Sequence, residues 1–306
     1  MTIRRDPQVP NNIFELERHE KFGDYACAYK DELTSRYENL DVIYIPYFPI
    51  DIDLAFFQSM TFPAEAKKIG TRNGLENKMF IRNGNKIEID RNHVLVRLFP
   101  DVSLACYVHE QICSVNGQIR DAMRALFPRY LSIRQGNITW RLTETVNEGL
   151  HVDGFFGGQP TPPAVKGREQ RIKLFINIDS EPRRWWTSYP LPELLKRHRH
   201  HFADGVPDDV DQLTHQISRS PWMQEIPHHE IDFPTLAAVT GEAQGIPHAI
   251  RYGRRVIVAE FLCSSKDMIV PGKHVQAALR QWLTEADIKL VSSEQYIKKL
   301  TADGLI

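Results

Sequence analysis

The chain has 306 residues, 42% hydrophobic and 25% charged, a balance that excludes disordered, collagen-like and coiled-coil proteins and leaves a compact globular fold. Thirty-eight Lys and Arg stand against 39 Asp and Glu, a formal net charge of −1. Bulk binding of nucleic acid is therefore excluded, and any acidic partner must be met by a few placed cations. The four cysteines, Cys27, Cys106, Cys113 and Cys263, have neither metal-ligand spacing nor the density of a secreted disulfide framework. The N-terminal MTIRRDPQVPNNIFELERHEKFGDY has no apolar signal core, and no run approaches the roughly 18–20 apolar residues that span a bilayer. These features predict reduced thiols and a cytoplasmic protein.

A polar helical pattern covers residues 13–38, and VIYIPYF at 42–48 reads as a strand, as do the runs KMFIRNG and HVLVRLF. From Val102 to Phe127, the residues Leu104, Tyr107, Val108, Ile112, Val115, Ile119, Met123 and Leu126 recur at helical spacing and predict one long amphipathic helix. The period then changes: NITWRLTE, GLHVDGF, RIKLFINI and RRWWTSY are β-like runs between Gly, Pro and Asn turns. Residues 190–228 turn helical and polar before strands resume in HEIDF, LAAVTGE, IPHAIRY and RRVIVAEFLCS, and the runs KHVQAALRQWLTEADI and SEQYIKKLTADG close the chain as helices. The pattern is α+β. An N-terminal α/β region, residues 1–130, packs on a β-rich core, 131–272, which carries a helical insertion at 190–228 and is followed by C-terminal helices over 273–306, all in one compact domain.

The chemistry centres on Leu150-His151-Val152-Asp153-Gly154. On a strand, side chains two apart share a face, so His151 and Asp153 present an imidazole and a carboxylate side by side. Alone, that is half a metal site, and an ordinary surface strand explains it as well. About a hundred residues on, His248 opens the run GIPHAIRYG; taken alone it reads equally as a core histidine. Together, two His and one carboxylate make the facial triad of non-haem Fe(II) oxygenases, which leaves adjacent positions open. The separation suits a double-stranded β-helix, a jelly-roll of cupin-like type.

In these segments the chain resembles the Fe(II)- and 2-oxoglutarate-dependent dioxygenases. More narrowly it resembles the bacterial Kdo hydroxylases, which hydroxylate 3-deoxy-D-manno-oct-2-ulosonic acid on lipopolysaccharide. The resemblance is carried by RDAMRALFPRYLSIRQ, ITWRLTETVNEGLHVDGF, RIKLFINIDSEPRRWW, the insertion ending in HEIDF, and IPHAIRYG. It implies Fe(II) held by His151, Asp153 and His248, with 2-oxoglutarate and O2 as cosubstrates. Hydroxylation of an unactivated C–H bond would accompany decarboxylation of 2-oxoglutarate to succinate. Because Asp153 fills the carboxylate position, hydroxylation is implied rather than halogenation.

The far carboxylate of 2-oxoglutarate needs a fixed cation, since a dianion in a partly dry pocket must be paired. By resemblance Arg255, in Gly253-Arg254-Arg255, is one counterpart of that cation and Lys173 in RIKLFINI another; Arg141 in TWRL, just before the His151–Asp153 segment, is a third candidate cation, for cosubstrate or substrate. Lys173 lies between apolar Ile172 and Leu174, so it either lines a cavity or faces solvent; Arg255 reads equally as a surface cation. Arg183, Arg184, Trp185 and Arg251 are candidates for substrate, because guanidinium groups and aromatic faces suit an acidic sugar. The run Lys196-Arg197-His198-Arg199-His200-His201 reads as a solvated helix face rather than a second metal site. A lipid-linked substrate would bring the protein to the cytoplasmic face of the inner membrane, with Trp222, Met223 and Ile226 either touching lipid or lying in the core. Two further readings stay open: a 2-oxoglutarate-dependent hydroxylase of an amino acid or natural product, and a non-oxygenase, cupin-like metal-binding protein.

Overall fold

A computed structural model describes residues 3–302 except positions 31 and 85. The last four positions of the expected C-terminal helical region, 303–306, lie outside the described residues. The N-terminal third contains α1 (Phe22–Tyr29), α2 (Glu32–Glu38), β1 (Val42–Ile45), a hairpin of β2 (Phe80–Asn83) and β3 (Lys86–Ile89), α3 (Val94–Leu98) and α4 (Val102–Leu126). Two expectations need correction. Ile13–Glu15 is a strand paired in parallel with β1, so the helical pattern starts only at Phe22. The run HVLVRLF is helical, because the Leu95 N–H donates to His93 Nδ1 at 3.2 Å and buried Leu95 packs into the core. A side-chain cap and packing there override the β propensity of its two valines.

The long helix α4 forms as its spacing predicts. Asp101 caps it by accepting the Ser103 N–H at 2.8 Å, and Val108, Ile112, Val115 and Ile119 are buried along one stripe. That stripe covers one face of the larger sheet.

The core strands are β4 (Arg134–Arg141), β5 (Thr145–Val146), β6 (Glu169–Asn177), β7 (Arg183–Thr187), β8 (His229–Phe233), β9 (Ala238–Gly241), β10 (His248–Gly253) and β11 (Val256–Ser264). The larger sheet runs Ile13–Glu15, β1, β9, β6, β11, β4, Ile69–Gly70; the smaller runs Ile3–Arg4, β8, β7, β10, β5. Consecutive core strands pass repeatedly from one sheet to the other, so the chain winds around the space between them. Two hydrophobic clusters show which way each side chain points. Ile172, Leu174 and Ile176 of β6 join Ile257, Ala259 and Phe261 of β11 in the cluster that includes α4. Phe175, Val239 and Val256 of the larger sheet instead meet Trp185, Ile231 and Ile250 of the smaller one. By strand alternation Arg171 and Lys173, like Phe175, face the space between the sheets.

The insertion holds α5 (Leu191–Arg197), α6 (Val210–Arg219) and a 3-10 turn at Pro221–Gln224. Asp209 caps α6, accepting the Asp211 N–H at 3.1 Å and the Gln212 N–H at 3.2 Å, while Val210, Leu213 and Ile217 join the inter-sheet cluster. Met223 and Ile226 are buried in the same cluster, so of the two readings left open for them the core one holds. Trp222 stacks on His198 and His201 at 4.9 and 4.8 Å between ring centroids; His198 is half-buried there, while Lys196, Arg197, Arg199, His200 and His201 are exposed, so the run is a solvated face apart from His198. The helices α7 (Val275–Glu285) and α8 (Ser293–Ala302) follow β11. The four cysteines are free thiols, and no helix among the described residues is long and apolar enough to cross a membrane.

Candidate metal centre and acid-binding cation

His151 and Asp153 do not lie on a regular strand, which corrects the reading of GLHVDGF. His151 forms a single antiparallel bridge with His248, through backbone hydrogen bonds of 3.0 and 2.8 Å. The other edge of this segment is satisfied by side chains of the insertion. The Leu150 N–H donates to Gln224 Oε1 at 2.9 Å, and Gln224 Nε2 donates to the Leu150 carbonyl at 3.0 Å. Likewise the Val152 N–H donates to Ser218 Oγ at 2.9 Å, and that hydroxyl donates to the Val152 carbonyl at 2.7 Å. The Asp153 N–H reaches the Ala243 carbonyl at 2.9 Å. Buried Asp211 accepts the N–H of Phe155 and, at 2.9 Å, that of Phe156. Every polar backbone group from Leu150 to the Asp153 N–H is thus paired, and the strand-like alternation survives without a strand neighbour on one side.

The alternation points His151 and Asp153 toward His248. The ligand atoms of the three lie within 4.8 Å of one another. His151 Nε2 is 3.9 Å from Asp153 Oδ1, and His248 Nε2 is 3.7 Å from Asp153 Oδ2. Each imidazole is tied back through its other nitrogen: His151 Nδ1 is 2.8 Å from the Gly149 carbonyl, and His248 Nδ1 is 3.0 Å from that of Ile246. A carbonyl only accepts, so both Nδ1 atoms carry the proton and both Nε2 lone pairs face the carboxylate. Burial pushes His248 down to about 4, against the pull of Asp153, so its imidazole is neutral at neutral pH, as a ligand must be. Burial alone would raise Asp153; Lys173, supported by His248 and His151, outweighs it and holds the carboxyl below its ordinary value. Two imidazoles with free Nε2 atoms and one ionised carboxylate fit a divalent transition metal with open positions.

The expected cations separate clearly. Lys173 lines the interior and its Nζ pairs with Asp153 Oδ2, so it does not face solvent. Arg171, on the same face, pairs with Glu260 at 2.7 Å and stacks 3.9 Å over the Phe155 ring. Arg255 is engaged elsewhere, donating to buried Asp179 at 3.3 Å and to the Met60 carbonyl at 2.8 Å, while Arg254 binds the same carboxylate at 2.7 and 3.1 Å. Arg184 is exposed, alternating with the inward Trp185. Arg251 lies 4.0 Å over the ring of Trp186 on that outer face. Neither Arg184 nor Arg251 nor Arg255 joins the triad.

Arg183 does the reverse. It is fully buried, on the inward face with Trp185, and among the described residues none of its three guanidinium nitrogens has a hydrogen-bond partner. Burial, with Arg141 nearby, pushes it down to about 9. Arg141 itself pairs with Glu148 at 3.2 Å. A Cβ on Gly253 would overlap Arg183 Nη1, so glycine is what makes room for this guanidinium. Along the inward face of β7, Thr187 stands opposite His248, Trp185 follows with its ring 5.5 Å from that of His248, and Arg183 comes next. The alternation in Arg183-Arg184-Trp185-Trp186 already separates the inward arginine from the outward one. Ser218, Gln224 and Asp211 were not legible as parts of the site; the trace of Gln224 in the sequence is Gly149, where a Cβ would lie 2.9 Å from Gln224 Oε1.

Fold and site together define a two-sheet protein whose winding core presents a His-x-Asp…His cluster from a loop and a strand start. No family profile and no curated protein sequence matches the chain. Among solved structures, the fold is similar to that of the apo Kdo hydroxylase KdoO, a non-haem Fe(II) α-ketoglutarate-dependent dioxygenase, with a TM-score of 0.65 and 17% identity over 92% of this chain and 98% of that one. The same enzyme in complex with α-ketoglutarate and Fe(III), and with cobalt(II), matches equally well. The α-ketoglutarate-dependent epimerase SnoN reaches a TM-score of only 0.38. At this identity the likeness to the hydroxylase establishes a shared fold.

Proposed function

We propose that this protein is an Fe(II)- and 2-oxoglutarate-dependent dioxygenase that hydroxylates an unactivated C–H bond of an acidic sugar, Kdo of lipopolysaccharide or lipid A precursors. The observation that carries the reading is the His151–Asp153–His248 cluster with a fully buried, unpartnered arginine further along the same interior. The winding of β4 to β11 between two sheets agrees with a double-stranded β-helix. His151 and His248 would hold Fe(II) through Nε2 and Asp153 through a carboxylate oxygen. What the iron supplies when bound is activation of O2, coupled to decarboxylation of 2-oxoglutarate.

The protein's own groups do the rest. Lys173 offsets part of the charge that Asp153 brings to the centre. Trp185 and Phe175, 5.9 Å apart, wall the interior and keep water from it. Arg183, with Arg141 beside it, receives the far carboxylate of the cosubstrate, which makes Arg183 rather than Arg255 the acid-binding cation. Kdo as substrate is supported by the likeness in fold to a Kdo hydroxylase. The buried positions of Met223 and Ile226 leave the sugar acid, rather than its lipid carrier, as what the site accounts for.

Anaerobic addition of Fe(II) and 2-oxoglutarate should give a weak visible charge-transfer band that is lost in Asp153→Ala. Folded wild-type protein without that band refutes the dioxygenase reading and leaves a cupin-like metal-binding protein. Succinate release stimulated by Kdo-containing lipid A precursors supports the sugar-acid substrate; stimulation by amino acids alone would move the protein to the small-metabolite hydroxylases.

A further inference from the structure

Four successive peptide planes around His151 are each held from two sides. The unit joining Gly149 and Leu150 has its carbonyl against His151 Nδ1 and its N–H on Gln224. The next has its carbonyl on Gln224 and its N–H on the His248 carbonyl. The third accepts the His248 N–H and donates to Ser218 Oγ; the fourth accepts from Ser218 Oγ and donates to the Ala243 carbonyl. Because a trans peptide is planar, with its N–H and C=O pointing opposite ways, fixing one side aims the other. Gln224 therefore orients the carbonyl that sets the His151 tautomer, and Ser218 orients the peptide from which Asp153 projects. Gly149 is the matching surface: a Cβ there would lie 2.9 Å from Gln224 Oε1.

We propose that Ser218 and Gln224 are positioning residues of the metal centre, two side chains standing in for an absent strand. The part of the insertion that carries them, α6 and the turn at Pro221–Gln224, is then a fixed wall of the site rather than a lid. Asp211, buried in α6 and bonded to the Phe155 and Phe156 N–H groups, extends the same wall past Asp153. The proposal rests on the metal-binding part of the function proposed above, but not on the substrate.

The test uses the full chain with Co(II) as the metal probe, titrated by its visible ligand-field absorption, and amide hydrogen exchange of the metal-free protein. Ser218→Ala and Gln224→Ala should each weaken Co(II) binding by about 10–100-fold, the range for groups that orient ligands without touching the metal. They should also alter the band pattern and speed exchange at Leu150 to Asp153, in a protein that still folds and whose unfolding temperature falls only by the few degrees that the unmade hydrogen bonds cost. Ser218→Thr, which keeps the hydroxyl, should restore binding and bands. Wild-type affinity and bands in both alanine variants overturn the proposal, as does unchanged exchange at Leu150 to Asp153. If the wild type binds no Co(II), the metal-centre reading fails by itself, and the exchange data alone then decide whether Ser218 and Gln224 hold the loop.

Discussion

Replacing Arg183 by methionine should stabilise the protein and abolish acid binding in one step. Burial pushes this guanidinium well below its ordinary value, down to about 9, a penalty on the order of several kcal/mol. The folded value lies below the unfolded one, so the penalty is complete at every pH below about 9 and applies in full at pH 7.5. Methionine removes that penalty but loses some packing. Exchanges of buried charge for apolar volume commonly gain about 1–4 kcal/mol, and at this chain length each kcal/mol moves the unfolding temperature by about 2–4 °C. Arg183→Met should therefore melt several degrees above wild type. The ligand response should change in the opposite sense. With Co(II) present and O2 absent, 2-oxoglutarate at a hundred times its Kd should stabilise the wild type by about 2.7 kcal/mol, and the same concentration should leave the variant's unfolding curve unmoved. An Arg183→Met protein that melts below wild type and still responds fully to 2-oxoglutarate would refute the reasoning, because the guanidinium would then have a structural partner and no part in acid binding.

Two further outcomes follow from the same contacts. Arg255→Ala should destabilise the protein by about 1–3 kcal/mol, the cost of unmade buried hydrogen bonds, while the 2-oxoglutarate shift stays at the wild-type size; loss of the shift at unchanged stability would return the acid-binding role to Arg255. Glu242 is buried, accepts from the Tyr37 hydroxyl at 2.7 Å and the Gln244 N–H at 3.0 Å, and is raised by burial from 4.5 to about 7. The folded state therefore holds this proton more tightly than the unfolded chain. Stability should fall as pH rises from about 4.5 to 7, by about 3 kcal/mol in all. Denaturant midpoints at pH 5.5 and 8 should accordingly converge in Glu242→Gln, and an undiminished pH dependence in that variant would show that Glu242 is ionised throughout.

What could be read in the sequence divides along a physical line. The stripe of α4 and the alternation of β6 are local, so spacing alone orients Val108 or Lys173. The triad was legible because His151 and Asp153 share a side even without a strand. The run from His93 to Phe99 misled because two valines outweigh one histidine in any propensity count, whereas the His93 ring, as a cap, decides the conformation. The choice between Arg255 and Arg183 was not legible. Separation from His248 favours Arg255, but its availability is decided by Asp179, 76 residues away. Proximity in sequence also gathered Arg184 and Arg251 around the centre, although both point away from it. Ser218 and Gln224 reveal themselves only once the insertion folds back on residues 150 and 152.

That distance has a consequence for how the protein is made. Gln224 meets Leu150 across 74 residues and Ser218 meets Val152 across 66. At a synthesis rate of about 5–20 residues per second, Leu150 emerges roughly 4–15 s before its partner, and His248 comes later still. Throughout that interval the stretch bearing two of the three ligands has backbone groups with nothing to bond but water. On the proposed reading of the site, metal capture therefore belongs to the end of folding. A nascent or prematurely terminated chain holding His151 and Asp153 lacks both the third ligand and the wall that aims the first two, so it has no means of retaining an ion before the enclosing interior exists.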